Sequence, residues 1–479
     1  MKLNSKLLQT NVFRMYSRRM TCIIVTDPTI VSSVILSGKY TQKLSWKNVK
    51  YKLLSCTGLS HDVAAPFSIG NEAHILDAHI KSSVSLSQIL YKIQHIFHTD
   101  KDMLPLLDNH NDDDSWVSFE ILRFFGRGIL YFSMKALFNL PSLANNHFYD
   151  LFIKFNSKLP FFLLMGPFLC RILLKEEHLA RETIIQMIKT AILNEECDDN
   201  RLLSEIFGQI HDLDLNLSDT TDLDSRARYT FLLFIASFFN TVPSVFWIIY
   251  QLLSDNNAYI AIQEEVDTIY KERLKIHNEE KKDKKEDDKT DTSSSLVFFE
   301  LSDVQKMHRL DSLIKEVFRL KTTKQVMVNR VATDDFLMKI PIDNTIRTIS
   351  IKKGTIFITS PTLSHTDEEI FANAKEFKWD RFLPHVRKDG TTALPKFFKN
   401  GVELRNPVNP FGGGKTYCPG RLLAVTEMKV MVAWMLLKYD FRFKNGIIPK
   451  DEPKLKSPKN AASNGYPLED ILIEARKRR

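Results

Sequence analysis

The stretch NPFGGGKTYCPGRLLA, residues 409–424, decides the fold. It combines a glycine run, a Gly-Lys-Thr and a single cysteine, and so admits two opposed readings. One is a loop that cradles phosphate, the other a loop that presents a sulfur to a metal. A phosphate loop of the form G-x-x-x-x-G-K-[ST] requires a glycine at 409, whose turn aims amides at the ligand. Asn409 stands there, followed by Pro410, which has no amide to donate. The preceding KNGVELRNPV does not read as a buried parallel strand, and the phosphate reading fails.

The sulfur reading holds. Cys418 precedes Pro419-Gly420 and LLAVTEMKVMVAWMLLKY, a pattern that predicts a buried helix. The cysteine thus sits just before a helix N-terminus, where unpaired amides and the positive dipole end favour an anion and lower a thiol's pKa. Gly412, Gly413 and Gly414 let the backbone take positive φ and approach a flat ligand closely. An anionic sulfur on such a turn is what a haem iron requires of a thiolate axial ligand. Cys418 is therefore the candidate metal ligand.

The bulk numbers bound the rest. The chain has 479 residues, 44% hydrophobic and 26% charged, enough for a sizeable core. A net charge of +8 and a pI near 9.0 suit an acidic protein partner or an anionic membrane surface. No zinc-finger spacing and no basic helix with heptads is present, so a nucleic-acid partner is not expected. The five cysteines, Cys22, Cys56, Cys170, Cys197 and Cys418, are odd in number and form no C-x-x-C pair. A disulfide framework and a zinc site are both excluded, and the first four read as small buried apolar residues.

Residues 229–253, YTFLLFIASFFNTVPSVFWIIYQLL, carry no charge and are long enough to cross a bilayer, but Ser237, Asn240, Thr241, Ser244 and Gln251 suit a fully buried helix equally. Residues 160–174, PFFLLMGPFLCRILL, are too short and too broken by proline and glycine to span; they read either as a core helix or as an interfacial segment. Residues 277–295, HNEEKKDKKEDDKTDTSSS, lack apolar side chains and are expected to be a disordered insertion within one domain. Helical patterning dominates 75–275. Between about 326 and 360, alternation predicts short strands, with Lys352-Lys353-Gly354 as a tight turn. IIVTDPTIVSSVIL, from Ile23, reads as strand, turn and helix. The fold class is mainly α with small β-sheets.

These motifs resemble the cytochromes P450. The F-x-x-G-x-x-x-C-x-G pattern is met by Phe411, Gly414, Cys418 and Gly420, with Ala424 beyond. LDSLIKEVFRL carries the family's E-x-x-R as Glu316 and Arg319, which share a helix face at i and i+3. FKWDRF places Arg381 where the family has a third partner. The resemblance implies a single P450 domain over 1–479. It implies haem b held between a long central helix and the cysteine loop, with Phe411, Gly412, Gly414, Gly420 and Ala424 around the cofactor. It also implies a buried network of Glu316, Arg319 and Arg381 that braces the loop.

The uncharged run resembles the family's central helix, where A/G-G-x-D/E-T-T is usual. Here the acid is replaced by Phe239 and the oxygen-handling threonine by Asn240; Thr241 matches, and Pro243 follows. Pro243 lacks the amide that would bond the carbonyl of residue 239, so a kink near Phe239 and Asn240 is expected. Asn-Thr-x-Pro resembles the P450 subgroup of cholesterol and oxysterol 7α-hydroxylases, sterol 12α-hydroxylase and prostacyclin synthase. Thr416, two before the cysteine, and Cys-Pro-Gly-Arg match the sterol 7α-hydroxylases.

By resemblance the chain is expected to be a monooxygenase of a sterol or similar lipid, using O2 and electrons from an NADPH-cytochrome P450 reductase. It would work on the cytosolic face of the endoplasmic reticulum membrane. Asn240 and Thr241 would position oxygen and water, with Ala236, Phe239, Val326 and Met327 lining the substrate pocket. The family's N-terminal anchor and proline-rich hinge are not seen, so membrane contact is expected at 160–174. Two alternatives stay open: a prostacyclin-synthase-like isomerase of a lipid peroxide, and a non-catalytic haem or lipid carrier.

Overall fold

The computed structural model describes residues 12–17, 20–31, 40, 42–45, 54–59, 79–99, 115–194, 202, 203, 205, 219–283, 296–322, 327–342, 345–386, 389–412, 417–455 and 465–478. Helices dominate, and small sheets flank them. The central helix, Asp219–Ser254, passes through the middle of the molecule. Its most apolar stretch is 72% buried, so the uncharged run is a core helix of this fold. It packs against Ile121–Phe132, Asn146–Asn156, Lys175–Leu193, His308–Val317 and the C-terminal helix Arg421–Lys438.

Phenylalanine fixes the contact with Asn146–Asn156. Phe148 and Phe152 of one helix meet Phe234 and Phe238 of the central helix, with Phe152 at 4.7 Å from each of the latter rings. All four are fully buried, and tilted rings at that spacing gain about 0.5–1.5 kcal/mol per pair beyond area burial. Gln94, on helix Ser83–Thr99, bonds both the amide and the carbonyl of Phe299 and accepts from Trp434 Nε1, all at 2.9 Å. A buried amide with donor and acceptor both used ties three segments without an unpaired polar group.

The largest sheet has the strand order Val12–Ser17, Met20–Val25, Ile356–Thr359, Met327–Ala332, Leu44–Ser45. Met20–Val25 and Ile356–Thr359 run parallel, with Cys22 opposite Ile356; the other pairs are antiparallel. The strands expected between 326 and 360 are present. Gly354, at φ 81°, makes the Lys352–Thr355 turn, but the turn carries the chain from one sheet to another. Strand Thr345–Ile351 pairs back on Phe336–Ile342, whereas Ile356–Thr359 joins the large sheet. After Met20–Val25, Asp27 accepts from the amides of Thr29 and Ile30 and caps the short helix Pro28–Ile30.

Two expectations need correction. Residues 277–283 are not disordered: helix Asn256–Asp283 continues through them. Glu and Lys are good helix formers and no Gly or Pro intervenes, so a solvated helix extends past its last core contact. The remainder of that stretch, 284–295, lies outside the described residues. Among the cysteines, Cys56 and Cys170 are buried but Cys22 is only partly so. Residue 197 lies outside the described residues.

Residues 160–173 fall in helix Leu159–Leu173, which has one packed face and one open face. Phe162 and Cys170 are buried, while Phe168, Ile172 and Leu173 are exposed.

Two arginines pin the turn at 54–58. Arg181 Nη1 donates to the Cys56 carbonyl at 3.2 Å, and Arg228 Nη1 to that of Thr57 at 2.7 Å. Glu182 and Asp224 hold both heads in place. Gly58 follows at φ +84°, and a Cβ there would lie 2.6 Å from Arg228 Nη1. Gly58→Ala combines left-handed strain with that clash. It should cost about 1–3 kcal/mol and lower the thermal midpoint by several degrees; an unchanged midpoint in a melting scan would show that the turn relaxes freely.

Candidate active site

Three elements build the site: the cysteine loop, the helix that braces it and the exposed strip of the central helix. The loop begins at Asn409. Gly412 takes φ 75°, a conformation that favours glycine, and Cys418 N–H donates to the Phe411 carbonyl at 3.0 Å. That bond closes the loop so that Cys418 stands immediately before helix Arg421–Lys438. Gly413, Gly414 and Thr416 lie outside the described residues. Phe411 meets Phe318 edge to face at 5.3 Å, fixing the loop against the brace helix. Arg421 donates to the Cys418 carbonyl at 3.1 Å and lies over the Tyr417 ring at 4.3 Å. Ala424, one turn into the helix, is partly buried.

The helix-terminal amides act on the sulfur as expected, but they do not win. Burial pushes the Cys418 thiol above its usual range, opposed by hydrogen bonds from the Gly420 and Arg421 amides and by the charges of Arg421 and Lys81. The expected net lowering is therefore corrected: partial positive charges at a helix end offset only part of the loss of water. A Cβ built on Gly420 would touch both Cys418 Sγ, at 4.0 Å, and Ile80 Cδ1, at 3.9 Å. Ile80 and the Cys418 sulfur thus both lie beside Gly420, and the charge of Lys81 reaches the thiol.

Glu316 and Arg319 end helix His308–Val317 and its continuation Phe318–Thr322. Both are at most 1% exposed. Arg319 Nε and Nη2 donate to the two Glu316 oxygens at 2.8 and 2.7 Å. Arg319 Nη1 donates to the carbonyls of His365 and Ala374, each at 2.5 Å, and Nη2 to that of Glu376 at 3.1 Å. Glu316 Oε1 also accepts from Arg381 Nε and from the Lys378 amide, both at 3.0 Å. Arg381 then reaches the carbonyls of Ala372, Asn373 and Glu376. The three residues singled out from sequence are brought together, and every head group is multiply bonded.

On the central helix, Ala236 and Asn240 are exposed amid buried neighbours. One turn apart, they mark a strip that faces open space rather than packing. Phe239 and Thr241 do not share it, because successive helix positions diverge by about 100°. Phe239 is 7% exposed, packs 5.7 Å from the Tyr466 ring and lines a separate cavity of about 410 Å³ with Tyr149 and Asn156. Thr241 is 3% exposed and donates to the Ser237 carbonyl at 2.6 Å. Neither side chain sits where sequence reasoning placed it. The helix runs unbroken through Pro243, and Ser244 Oγ donates to the Asn240 carbonyl at 2.8 Å. Met327 opens strand Met327–Ala332 opposite Thr359; Val326 lies outside the described residues.

Sequence reading passes over three residues. Lys81 is close enough for its charge to act on the thiol. Arg330 is 3% exposed, and burial pushes its guanidinium below the usual range. His365 touches both the brace and the loop. An arginine inside the apolar run VMVNRVA was the one available signal.

A family model for cytochrome P450 matches residues 6–464. The chain belongs to the cytochrome P450 family. Its relatives include Cytochrome P450 7B1 of Mus musculus, 26% identical over 84% of this chain and 71% of the relative. The 25-hydroxycholesterol 7-alpha-hydroxylase of Rattus norvegicus is 25% identical over 84% of this chain and 87% of that protein. The 7-alpha-hydroxycholest-4-en-3-one 12-alpha-hydroxylase of Homo sapiens is 28% identical over 44% of this chain and 38% of its own length. The family implies a haem-iron cofactor, dioxygen and a redox partner. This P450's residues fit that cofactor: a thiol set on a glycine turn, a cation beside it and aromatic packing behind the loop.

Removing one member of the brace should leave a buried charge without its partner. Glu316→Gln is expected to cost about 3–5 kcal/mol, read as a lower urea midpoint with unchanged slope. A loss below about 1 kcal/mol would mean that the arginines find other acceptors.

Proposed function

We propose that this P450 is a haem-thiolate monooxygenase that hydroxylates a sterol or a related lipid. The observation that carries the reading is the Cys418 thiol, turned by Gly412 and the Phe411 carbonyl onto a helix N-terminus and backed by a fully satisfied Glu316–Arg319–Arg381 brace. The whole chain is read as one catalytic domain. Haem b, when bound, supplies the iron at which dioxygen is activated. Cys418 would ligate that iron as the thiolate, since coordination deprotonates a thiol. Phe411, Gly412, Gly414, Gly420 and Ala424 would lie around the macrocycle, and Lys81, whose charge acts on the thiol, is the candidate cation for its propionates.

Ala236 and Asn240 line the reaction space on this reading, with Asn240 holding dioxygen or water through its amide. Thr241 acts indirectly, by stiffening the helix turn below Asn240. Met327 and Val326 remain candidates for the substrate pocket. Phe239 is not retained there, because it packs on Tyr466. The sterol assignment rests on the Asn-Thr-x-Pro motif and on relatives whose names state 7α- or 12α-hydroxylation of sterols. The basic surface, at net +8, suits an acidic NADPH-dependent reductase. Exposed Phe161, Phe168, Leu169, Ile172 and Leu173 support contact with the cytosolic face of the endoplasmic reticulum membrane.

A second reading is a lipid-peroxide isomerase, which needs neither reductase nor dioxygen. Phe239 favours it, since an apolar side chain stands where the family carries a proton-relaying acid.

The test is to load the protein with haem and offer cholesterol, oxysterols and bile-acid intermediates, with and without reductase and NADPH. Hydroxylated product only with electrons is the expected result. Conversion of a lipid peroxide without electrons, and no sterol product, would move the assignment to the isomerase. Cys418→Ala should abolish the thiolate-type CO spectrum; an unchanged spectrum would remove the ligand assignment. Asn240→Ala should cut product formed per NADPH by roughly tenfold or more, the scale of a lost active-site hydrogen bond. Its effect on lipid affinity should stay within about twofold. Equal losses in both would make Asn240 a packing residue.

A further inference from the structure

His365 belongs to neither the cysteine loop nor the Glu316–Arg319–Arg381 triad, yet it touches both. It ends the short helix Pro361–His365 and is 1% exposed. Its Nδ1 lies 3.1 Å from the Arg319 carbonyl, and its own carbonyl accepts from Arg319 Nη1 at 2.5 Å. On the far side of the ring, the Asn409 amide donates to Nε2 at 3.4 Å. Asn409 is the first residue of the loop that leads to Cys418.

The chemistry fixes the tautomer. A carbonyl at Nδ1 only accepts, so Nδ1 carries the proton. An amide N–H at Nε2 only donates, so Nε2 offers its lone pair. Only neutral imidazole does both; the imidazolium has no acceptor. Burial pushes this histidine down to about 4, which keeps it neutral at physiological pH.

We propose that His365 is a positioning residue: its neutral imidazole transmits the rigidity of the Arg319 brace to the Asn409 end of the cysteine loop and so sets where Cys418 stands. Arg319 bonds the carbonyls of His365, Ala374 and Glu376. Among the described residues, His365 leads from this rigid hub to the loop through a hydrogen bond. Phe318 and Phe411 add a ring contact a little further on, but an edge-to-face contact constrains angle less than a directed bond does. The spectral part of the inference rests on Cys418 being the iron ligand; the mechanical part does not.

Two isosteres separate the roles of the ring nitrogens. His365→Asn keeps a donor near the Nδ1 position and loses the acceptor for Asn409. His365→Gln places an amide oxygen near the Nε2 position and keeps that acceptor. The first readout is the rate at which a maleimide labels Cys418 in haem-free protein. His365→Asn should raise it about tenfold, the scale of one buried hydrogen bond, and His365→Gln by about twofold or less. Ser312→Ala is the control, because Ser312 bonds the Trp379 carbonyl and the Phe382 amide beside the brace without touching the loop. Equal acceleration in Asn, Gln and Ser312→Ala variants would overturn the proposal and make His365 general packing.

The second readout is the CO spectrum of the loaded protein, where His365→Asn should convert from the thiolate form to the inactive form faster than His365→Gln. If unaltered protein gives no thiolate spectrum, the haem reading fails while the labelling result still judges His365. Should His365→Asn not fold, amide exchange in the unaltered protein decides: slow exchange at Asn409 supports the bond, and exchange at the rate of an open loop overturns it.

Discussion

A glutamate with no exposed surface organises this molecule. Glu316 accepts from Arg319, Arg381 and the Lys378 amide, and its two arginines collect backbone carbonyls from residues 365 to 376. Taking three charges out of water is costly, and Coulomb attraction alone does not always repay it. What offsets that cost is that the guanidinium donors are spent on backbone carbonyls of an irregular segment. That segment has little regular structure of its own between His365 and the Phe382 amide. The charged cluster does there what a sheet ladder does elsewhere: it satisfies the backbone and fixes its path. On the proposed reading the loop must present one atom accurately, Cys418 Sγ, and this cluster gives it a rigid surface to lean on.

How much of this was legible in the sequence depends on the range of the interaction. The cysteine loop, the Glu316–Arg319 pair and Arg381 were legible because each sits in a local pattern with fixed spacing. The buried central helix was legible only through its resemblance to the family's central helix, because the length and polar residues of the uncharged run suit a membrane span and a core helix equally. Side-chain direction within that helix was not. Ala236, Phe239, Asn240 and Thr241 are near neighbours in the chain, yet two face open space and two are buried. One residue of helix is about 100° of rotation, so a motif names a neighbourhood without saying which members look into it. His365 was illegible for a different reason: its partners are 46 and 44 residues away, and neither leaves a mark beside it.

The thiol shows a competition of magnitudes that sequence cannot settle. Position before a helix argues for a lowered pKa, and the amides of Gly420 and Arg421 do contribute in that sense. Burial acts the other way and is larger. A free thiol in this setting is protonated and poorly reactive. On the proposed reading that is useful, since a partly buried, neutral sulfur resists oxidation until a metal claims it, and ionisation then accompanies ligation.

Phe239 shows what the family's acid gives way to here. A carboxylate at that point, set among Tyr149, Tyr466 and Val242, would need a buried partner or would lose its charge. Phenylalanine removes that demand and packs on Tyr466 instead. The neighbouring hydroxyls follow the same logic: Thr241, Ser237 and Ser244 all donate to carbonyls of their own helix. Those hydroxyls are spent on carbonyls of the helix itself, while Pro243 lacks the amide that would bond the Phe239 carbonyl. Asn240 is exposed with Ala236 on the open strip. On the proposed reading an amide, which donates and accepts without ionising, is then the group that meets oxygen and water there. Protons must arrive through solvent reaching that strip rather than through a carboxylic acid stored in the helix.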